Sequence, residues 1–268
     1  MPIITISRGA FSGGKELAEC IAAQLGYRLV SREVLVRAAR QYGVAVDKLD
    51  HALTDKPGLR ERMGLERVHF LAYIQAALCK EVRDDNVVYH GNAGHLLLQG
   101  VPHVIRVRVM ANIKFRAGKA MEIAKIDQSN AFKLIEQRDV ERAEWTRYLY
   151  NVNWLYPELY DVVINFDHIT PETGCNIVCL TARQPQFKSS PEAEQILKDL
   201  TLSTEVRARI ATEGKGRDRN IKVNAKGGTI TLSGVVSSIE DADLVKYISS
   251  RVDGVHEVRS LMKVHTNW

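Results

Sequence analysis

The run Ile4-Thr5-Ile6-Ser7 leads through Arg8 into Gly9-Ala10-Phe11-Ser12-Gly13-Gly14-Lys15, after which Leu17, Ile21 and Leu25 recur at helical spacing. β-Branched residues favour a strand, and apolar residues four apart mark one helix face, so the chain passes from strand to helix through a glycine-rich turn. Glycines let the backbone approach an anion closely. Successive N–H groups then form a concave nest, and the helix N-terminus adds about half a positive charge.

Residues Gly9 to Lys15 satisfy the spacing G-x-x-x-x-G-K, with Gly9, Ser12, Gly13, Gly14, Lys15 and Glu16 as the expected phosphate-contacting positions. Lys15 would sit beside the β- and γ-phosphates of a nucleotide. Glu16, however, stands where a Ser or Thr would normally meet magnesium. An ordinary strand-turn-helix connection with a solvated lysine satisfies the same spacing, and it is the strand before and the helix after that favour the phosphate site. Gly26 closes the helix, and Tyr27 to Val30 start the next element.

Helical and extended patterns alternate from there, which predicts an α/β architecture: a three-layer parallel sheet with helices on both faces. Ser31 precedes a helix from Arg32 to Gln41, ended by Gly43, and the stretch from Asp47 to Gly64, with Pro57, reads as loop with short helices. Val68, Leu71, Ile74 and Leu78 mark a buried helix face. Val87 to Tyr89 form a strand ending at a second turn, Gly91-Asn92-Ala93-Gly94, and ligands collect at the carboxyl ends of such strands. Val104 to Met110 make a strand, two helices span about 112–124 and 128–150, Asp161 to Asn165 make another strand, and Thr170-Pro171 start a helix.

Gln, Pro, Lys and Ser crowd between Gln184 and Pro191, which reads as a linker. Beyond it the order is helix, strand, strand, helix, strand, a small α+β (αββαβ) unit with a hairpin at Lys226-Gly227-Gly228. The expected division is therefore a domain at 1–184, a linker at 185–198 and a second domain at 199–268.

Composition narrows the function. No apolar run approaches the roughly 18 residues that cross a bilayer, and no basic segment followed by an apolar one opens the chain, so a cytoplasmic protein without a transmembrane segment is expected. Cys20, Cys79, Cys175 and Cys179 are too few and too spread for a disulfide scaffold, and Cys20 and the Cys175/Cys179 pair suit buried thiols. No C-x-x-C pair is present and no metal site is expected within the chain. A formal charge of +5 fits polyanionic ligands, nucleotides among them. The basic residues are dispersed, so no nucleic-acid partner is expected.

Ile6-Ser7-Arg8, Ser12-Gly13-Gly14-Lys15-Glu16-Leu17, Ser31-Arg32-Glu33, the Gly91 turn, Arg138-Asp139-x-x-Arg142 and Tyr160 to Asn165 together resemble the cytidylate kinase-like branch of the P-loop nucleoside monophosphate kinases. The last 70 or so residues resemble a BON domain, through Gly228-Thr-Ile-Thr-Leu-Ser-Gly-Val235 and Val252-Asp-Gly-Val255. The first resemblance implies an ATP- and Mg²⁺-dependent phosphotransferase acting on a small phosphate acceptor, in which positioning and cations do the catalytic work. It implies catalytic roles for Lys15, Arg138 and Arg142, the two arginines projecting from one face of a lid helix. A charged surface helix with Glu136, Glu141 and Glu144 would show the same spacing.

The substrate-binding positions implied are Ser31, Asn92, Arg116 and Asp139. Arg116 helps hold the nucleotide and Asp139 orients an arginine or a magnesium-bound water, with solvated charge equally compatible with Arg116. Ser31 replaces an aspartate usual in the branch, and Gly91-Asn92-Ala93 replaces Gly-Arg-Asp, removing the arginine that holds an acceptor phosphate. His90 and His95 flank that turn, as ligand contacts or as core or surface histidines. The alternative is a catalytically degenerate nucleotide sensor or adaptor whose BON domain contacts phospholipid or a protein partner.

Overall fold

The computed structural model of the protein describes residues 1–54, 66–214 and 220–264. Five parallel strands form its larger sheet: β1 (Ile3–Arg8), β2 (Arg28–Val30), β3 (Val87–Tyr89), β4 (Val104–Met110) and β5 (Val162–Asn165), in the order β2-β3-β1-β4-β5. β1 is central, with Ile4 in register with Val88 on one side and Ile105 on the other. A strand covered on both faces needs no polar alternation, which is why Ile3 to Ser7 are all buried.

Helices connect these strands along the chain. α1 (Gly14–Leu25) ends at Gly26, whose φ of 68° lets its N–H reach Ala22. α2 (Glu33–Tyr42), α3 (Val46–Thr54) and α4 (Glu66–Val82) follow β2, and α5 (Gly94–Leu97) follows β3. α6 (Ile113–Ala124), α7 (Gln128–Tyr150) and α8 (Pro171–Ala182) start at Asn112, Asp127 and Thr170, each side chain accepting an amide hydrogen of the first turn. Leu17 and Ile21 of α1 pack with Cys175 and Val178 of α8 over Ile4, Ile6, Ile105 and Val107.

The C-terminal sheet has the order β6-β7-β8, from β6 (Asn220–Lys226), β7 (Thr229–Val236) and β8 (Glu257–Val264). β6 and β7 form an antiparallel hairpin closed by Gly227 and Gly228, both at positive φ, the two-residue turn whose twist matches the strands. α9 (Pro191–Glu213) and α10 (Ile239–Ser250) cover one face, burying Val206, Ile210, Ile230, Leu232, Val245 and Ile248. The opposite face carries Lys222, Asn224, Thr231, Ser233, Arg259 and Leu261.

Contacts divide the chain into two compact units, the described parts of Met1–Glu33, Leu53–Gly58 and Asp84–Ser189 and those of Val34–Ala52, Leu59–Arg83 and Ser190–Trp268. Within the second, α4 packs along α9, with Lys80 Nζ 2.6 Å from a Glu205 carboxylate oxygen and the Tyr42 ring stacked on Tyr73.

Several local expectations differ from what forms. Ser190 and Pro191, read as linker residues, are the N-cap and first residue of the long helix α9, because the proline's fixed φ and missing N–H suit a first turn. Cys20 and Cys175, expected as separate buried thiols, form a disulfide between α1 and α8, their Cα atoms 6.1 Å apart. Helix packing brings together residues 155 positions apart, which spacing along the chain does not reveal. Cys79 and Cys179 are free and buried. Pro57 and its neighbours up to Gly64 lie outside the described residues. Among those described, no helix is long and apolar enough to cross a membrane.

Candidate functional site

The turn after β1 is shaped by its glycines and by two side chains from α6 and α7. Gly13 takes φ 85°, a left-handed conformation that an L side chain adopts only with strain, and caps α1 without a side-chain bond to its first-turn amides. A Cβ on Gly14 would lie 2.5 Å from Cδ of Arg8, so the Arg8 stem occupies the space glycine leaves. Ser12 Oγ donates to the carbonyls of Gly9 and Val109, at 3.0 and 3.4 Å. The first intrahelical bond of α1 runs from Leu17 N–H to Gly13 O, which leaves the preceding amides at the open end of the helix.

Arg116 and Asp139 hold the outer part of the turn. Arg116 Nε donates to Ala10 O at 2.7 Å, Arg116 Nη2 lies 2.6 Å from Asp139 Oδ2, and Ala10 N–H donates to Asp139 Oδ1 at 3.2 Å. Phe11, at φ 60°, turns its ring toward Ala117, Ala120, Ala131 and Ile135, with Arg138 above it at 5.2 Å.

These elements enclose a cleft of about 270 Å³. Among the described residues lining it, Arg8, Lys15, Lys119, Arg138 and Arg142 bring positive charge against the single carboxylate of Glu16. Glu16 lies 3.5 Å from Lys119, and Lys15 lies 3.6 Å from Glu19 with its side chain largely exposed. Arg142 donates to the Arg8 carbonyl and, at 3.2 Å, to Asn92 Oδ1. Burial lowers the pKa of both Arg8 and Arg142, and the Arg8 charge pushes Arg142 further, down to about 10. Arg8 Nη1 is buried without a hydrogen-bond partner. Two neighbouring guanidinium groups held this way are poised for an anion.

His90, the first residue after β3, lines the same cleft. Its pKa is pushed down to about 3, first by burial and then by Arg8, Lys15 and Arg142, so the ring is neutral. Its Nε2 is buried without a partner. His95 is packed against Tyr160 instead, its Nε2 3.4 Å from the phenol oxygen.

The structure thus gathers Gly13, Gly14, Lys15, Glu16, Ser12, Arg138 and Arg142 around one cleft, while Gly9, Arg116 and Asp139 build the turn beneath it. Asn92 faces Arg142 in a recess behind the cleft, shared with Ser7, His95 and Trp154. Ser31 is not among the described residues lining either space, and its amide donates to Glu33. Trp145 and Trp154 are core residues, with Arg108 and Arg142 over the Trp154 ring. Arg8 and Lys119 escaped the sequence argument as cleft cations. The signals were present: Arg8 ends a central parallel strand, and Lys119 lies three residues beyond Arg116 on one helix face.

A magnesium ion finds no dedicated set of ligands here. Ser12 Oγ and the Asp139 carboxylate are committed to the turn, Glu16 lies near Lys119, and no group of three or more His, Cys, Asp or Glu able to hold a metal occurs among the described residues.

The model of the cytidylate kinase-like family matches residues 3–168, which contain the cleft and all of the parallel sheet. The chain belongs to the cytidylate kinase-like family. A second match, to the BON domain, covers residues 198–266, the C-terminal α+β unit. This cytidylate kinase-like chain is 26% identical over 176 residues to a protein named cytidylate kinase from Ignicoccus hospitalis (strain KIN4/I / DSM 18386 / JCM 14125), an alignment covering 64% of this chain and 94% of that one. It also shares its fold with the crystal structure of an uncharacterized protein from Eubacterium ventriosum ATCC 27560, with a TM-score of 0.55 and 17% identity over 68% of this chain and 97% of that one.

Proposed function

We propose that the cleft binds ATP and that the N-terminal domain (1–184), followed by a second domain at 199–268, is an ATP-dependent phosphotransferase. The observation that carries this reading is the buried, unpartnered Arg8 Nη1 beside Arg142, in a cleft whose described lining is strongly cationic. Leaving a buried donor unsatisfied costs about 1–3 kcal/mol, more when it is charged, and a phosphate oxygen would remove that cost.

In this reading the amides at the start of α1 and Lys15 hold the β- and γ-phosphates, with Gly9, Ser12, Gly13, Gly14 and Glu16 forming the turn around them. Arg138 and Arg142 meet the charge that develops on the transferring phosphoryl group. Arg116 and Asp139 act by fixing the turn, and Ser31 and Asn92 belong to the acceptor side. Magnesium, when bound, would arrive on the nucleotide and screen its phosphate charge. Calorimetric titration of ATP, with and without magnesium, and coupled detection of ADP test the reading; no binding, or binding and ADP release untouched by Lys15→Ala, would remove it.

A nucleotide sensor without turnover is the second reading, favoured by Asn92, which places an amide rather than a cation at the β3–α5 turn. It predicts ATP binding with no ADP release. The BON unit would serve either reading as a contact for phospholipid or a protein partner, supported by the exposed Lys222, Lys226, Arg259 and Lys263 on the open face of its sheet.

A further inference from the structure

We propose that His90 accepts the proton of an attacking hydroxyl, so that the acceptor is an alcohol rather than a phosphate monoester. This rests on the phosphotransferase reading of the same cleft.

Three observations converge on the ring. It stands at the carboxyl end of β3, the neighbour of β1, and its backbone N–H donates to Val30 O at 2.9 Å, which fixes where it emerges. It lines the cleft together with Gly14, Lys15 and Arg142. Its Nε2 is buried and bonded to nothing. A buried imidazole nitrogen is normally satisfied in a folded core, so an orphan in a cleft points to a ligand that supplies the partner.

The surrounding cations favour the tautomer that turns a lone pair, rather than an N–H, toward them, and we take Nε2 as that acceptor. Arg8 from β1, Lys15 from α1 and Arg142 from α7 face the ring, and with burial they keep it unprotonated. A triphosphate would neutralise those cations and raise the ring's proton affinity, so the base would strengthen as the nucleotide loads. A phosphate monoester carries its own anionic nucleophile and needs no base. A hydroxyl does need one, and the only carboxylate among the described lining residues is Glu16, near Lys119.

The step balances without another reagent. The hydroxyl oxygen forms a bond to the γ-phosphorus while its proton passes to Nε2, and the bond from that phosphorus to the β–γ bridging oxygen breaks, its electron pair leaving with the nucleoside diphosphate. The imidazolium then returns its proton to water.

Water is itself a hydroxyl nucleophile, so ATP hydrolysis without added acceptor probes the base directly. ADP release is measured with water alone, with glycerol, and with the pairs cytidine and CMP, uridine and UMP, adenosine and AMP, for the wild type and His90→Gln. We expect hydrolysis at least 30-fold slower in the variant, ATP affinity within twofold by calorimetry, and no monophosphate outrunning its nucleoside. In the wild type, the His90 ring resonances should titrate at higher pH with a non-hydrolysable ATP analogue than without it, a readout that needs no variant. Wild-type hydrolysis by His90→Gln, preference for a monophosphate, or an unmoved titration would overturn the proposal while leaving ATP binding intact. Failure to bind ATP would overturn the phosphotransferase reading and this proposal together.

Discussion

Asp139, on α7, closes on Arg116, on α6, with Oδ2 and Nη2 2.6 Å apart, and both side chains also grip the backbone of Ala10. The shape of the turn after β1 is therefore set by residues more than 100 positions downstream.

Asp139→Asn keeps the size of the side chain and removes its charge, leaving Arg116 without its counterion at a site where both partners are mostly covered. Breaking such a pair should cost on the order of 1–3 kcal/mol, and the loosened turn should weaken ATP binding as well. Urea denaturation and calorimetry on the same variant check both effects. A variant with unchanged stability and affinity would mean that the turn holds its shape without the pair.

Lys15→Ala separates binding from folding. The Lys15 side chain is 72% exposed, so its removal should move stability by no more than about 0.5 kcal/mol. ATP affinity should fall at least tenfold if the ammonium group meets the phosphates. Thermal melts and titration calorimetry read the two quantities separately.

Acid should destabilise the fold through His90 and His95. Burial depresses both rings to about 3, with Arg8, Lys15 and Arg142 adding at His90 and Arg106 and Arg108 at His95. Between that value and the unfolded-state value of about 6.5 the unfolded chain binds more protons than the folded one. The stability these rings contribute is thus complete above the unfolded value and is lost as pH falls toward the folded one. Each tenfold difference in proton affinity is worth about 1.4 kcal/mol, so urea midpoints should drop steeply between roughly pH 6.5 and 3, and His90→Gln should flatten part of the drop.

Reducing agent should lower the melting temperature of the unit that carries the parallel sheet. The Cys20–Cys175 bond closes a long loop, and such a crosslink contributes about 2–4 kcal/mol, chiefly by restricting the unfolded chain. Cys175→Ser should melt at the same temperature with and without dithiothreitol. A wild type indifferent to reductant would show that the bond adds nothing to stability.

Where local chemistry decides the backbone, the sequence was readable. The strand, turn and helix from Ile3 to Gly26 followed from β-branched residues, glycines and helical apolar spacing, and Thr170-Pro171 marked the start of α8. What escaped depended on tertiary approach. The Arg8–Arg142 contact joins residues 134 apart, and nothing near either one announces the other. The approach of Arg142 to Asn92 is equally silent in the sequence, because the two belong to different elements that only the packed fold brings together. At Ser190-Pro191 the letters were informative but ambiguous, since a linker and a helix start share the same residues.

Gly14 and Arg8 amount to a single choice made at two positions. The methylenes of Arg8 fill the place where residue 14 would carry a side chain, so even alanine there would evict the arginine stem from beneath the helix. A side chain at position 14 is possible only where residue 8 yields its place, and any redesign of this loop has to treat the two as one part.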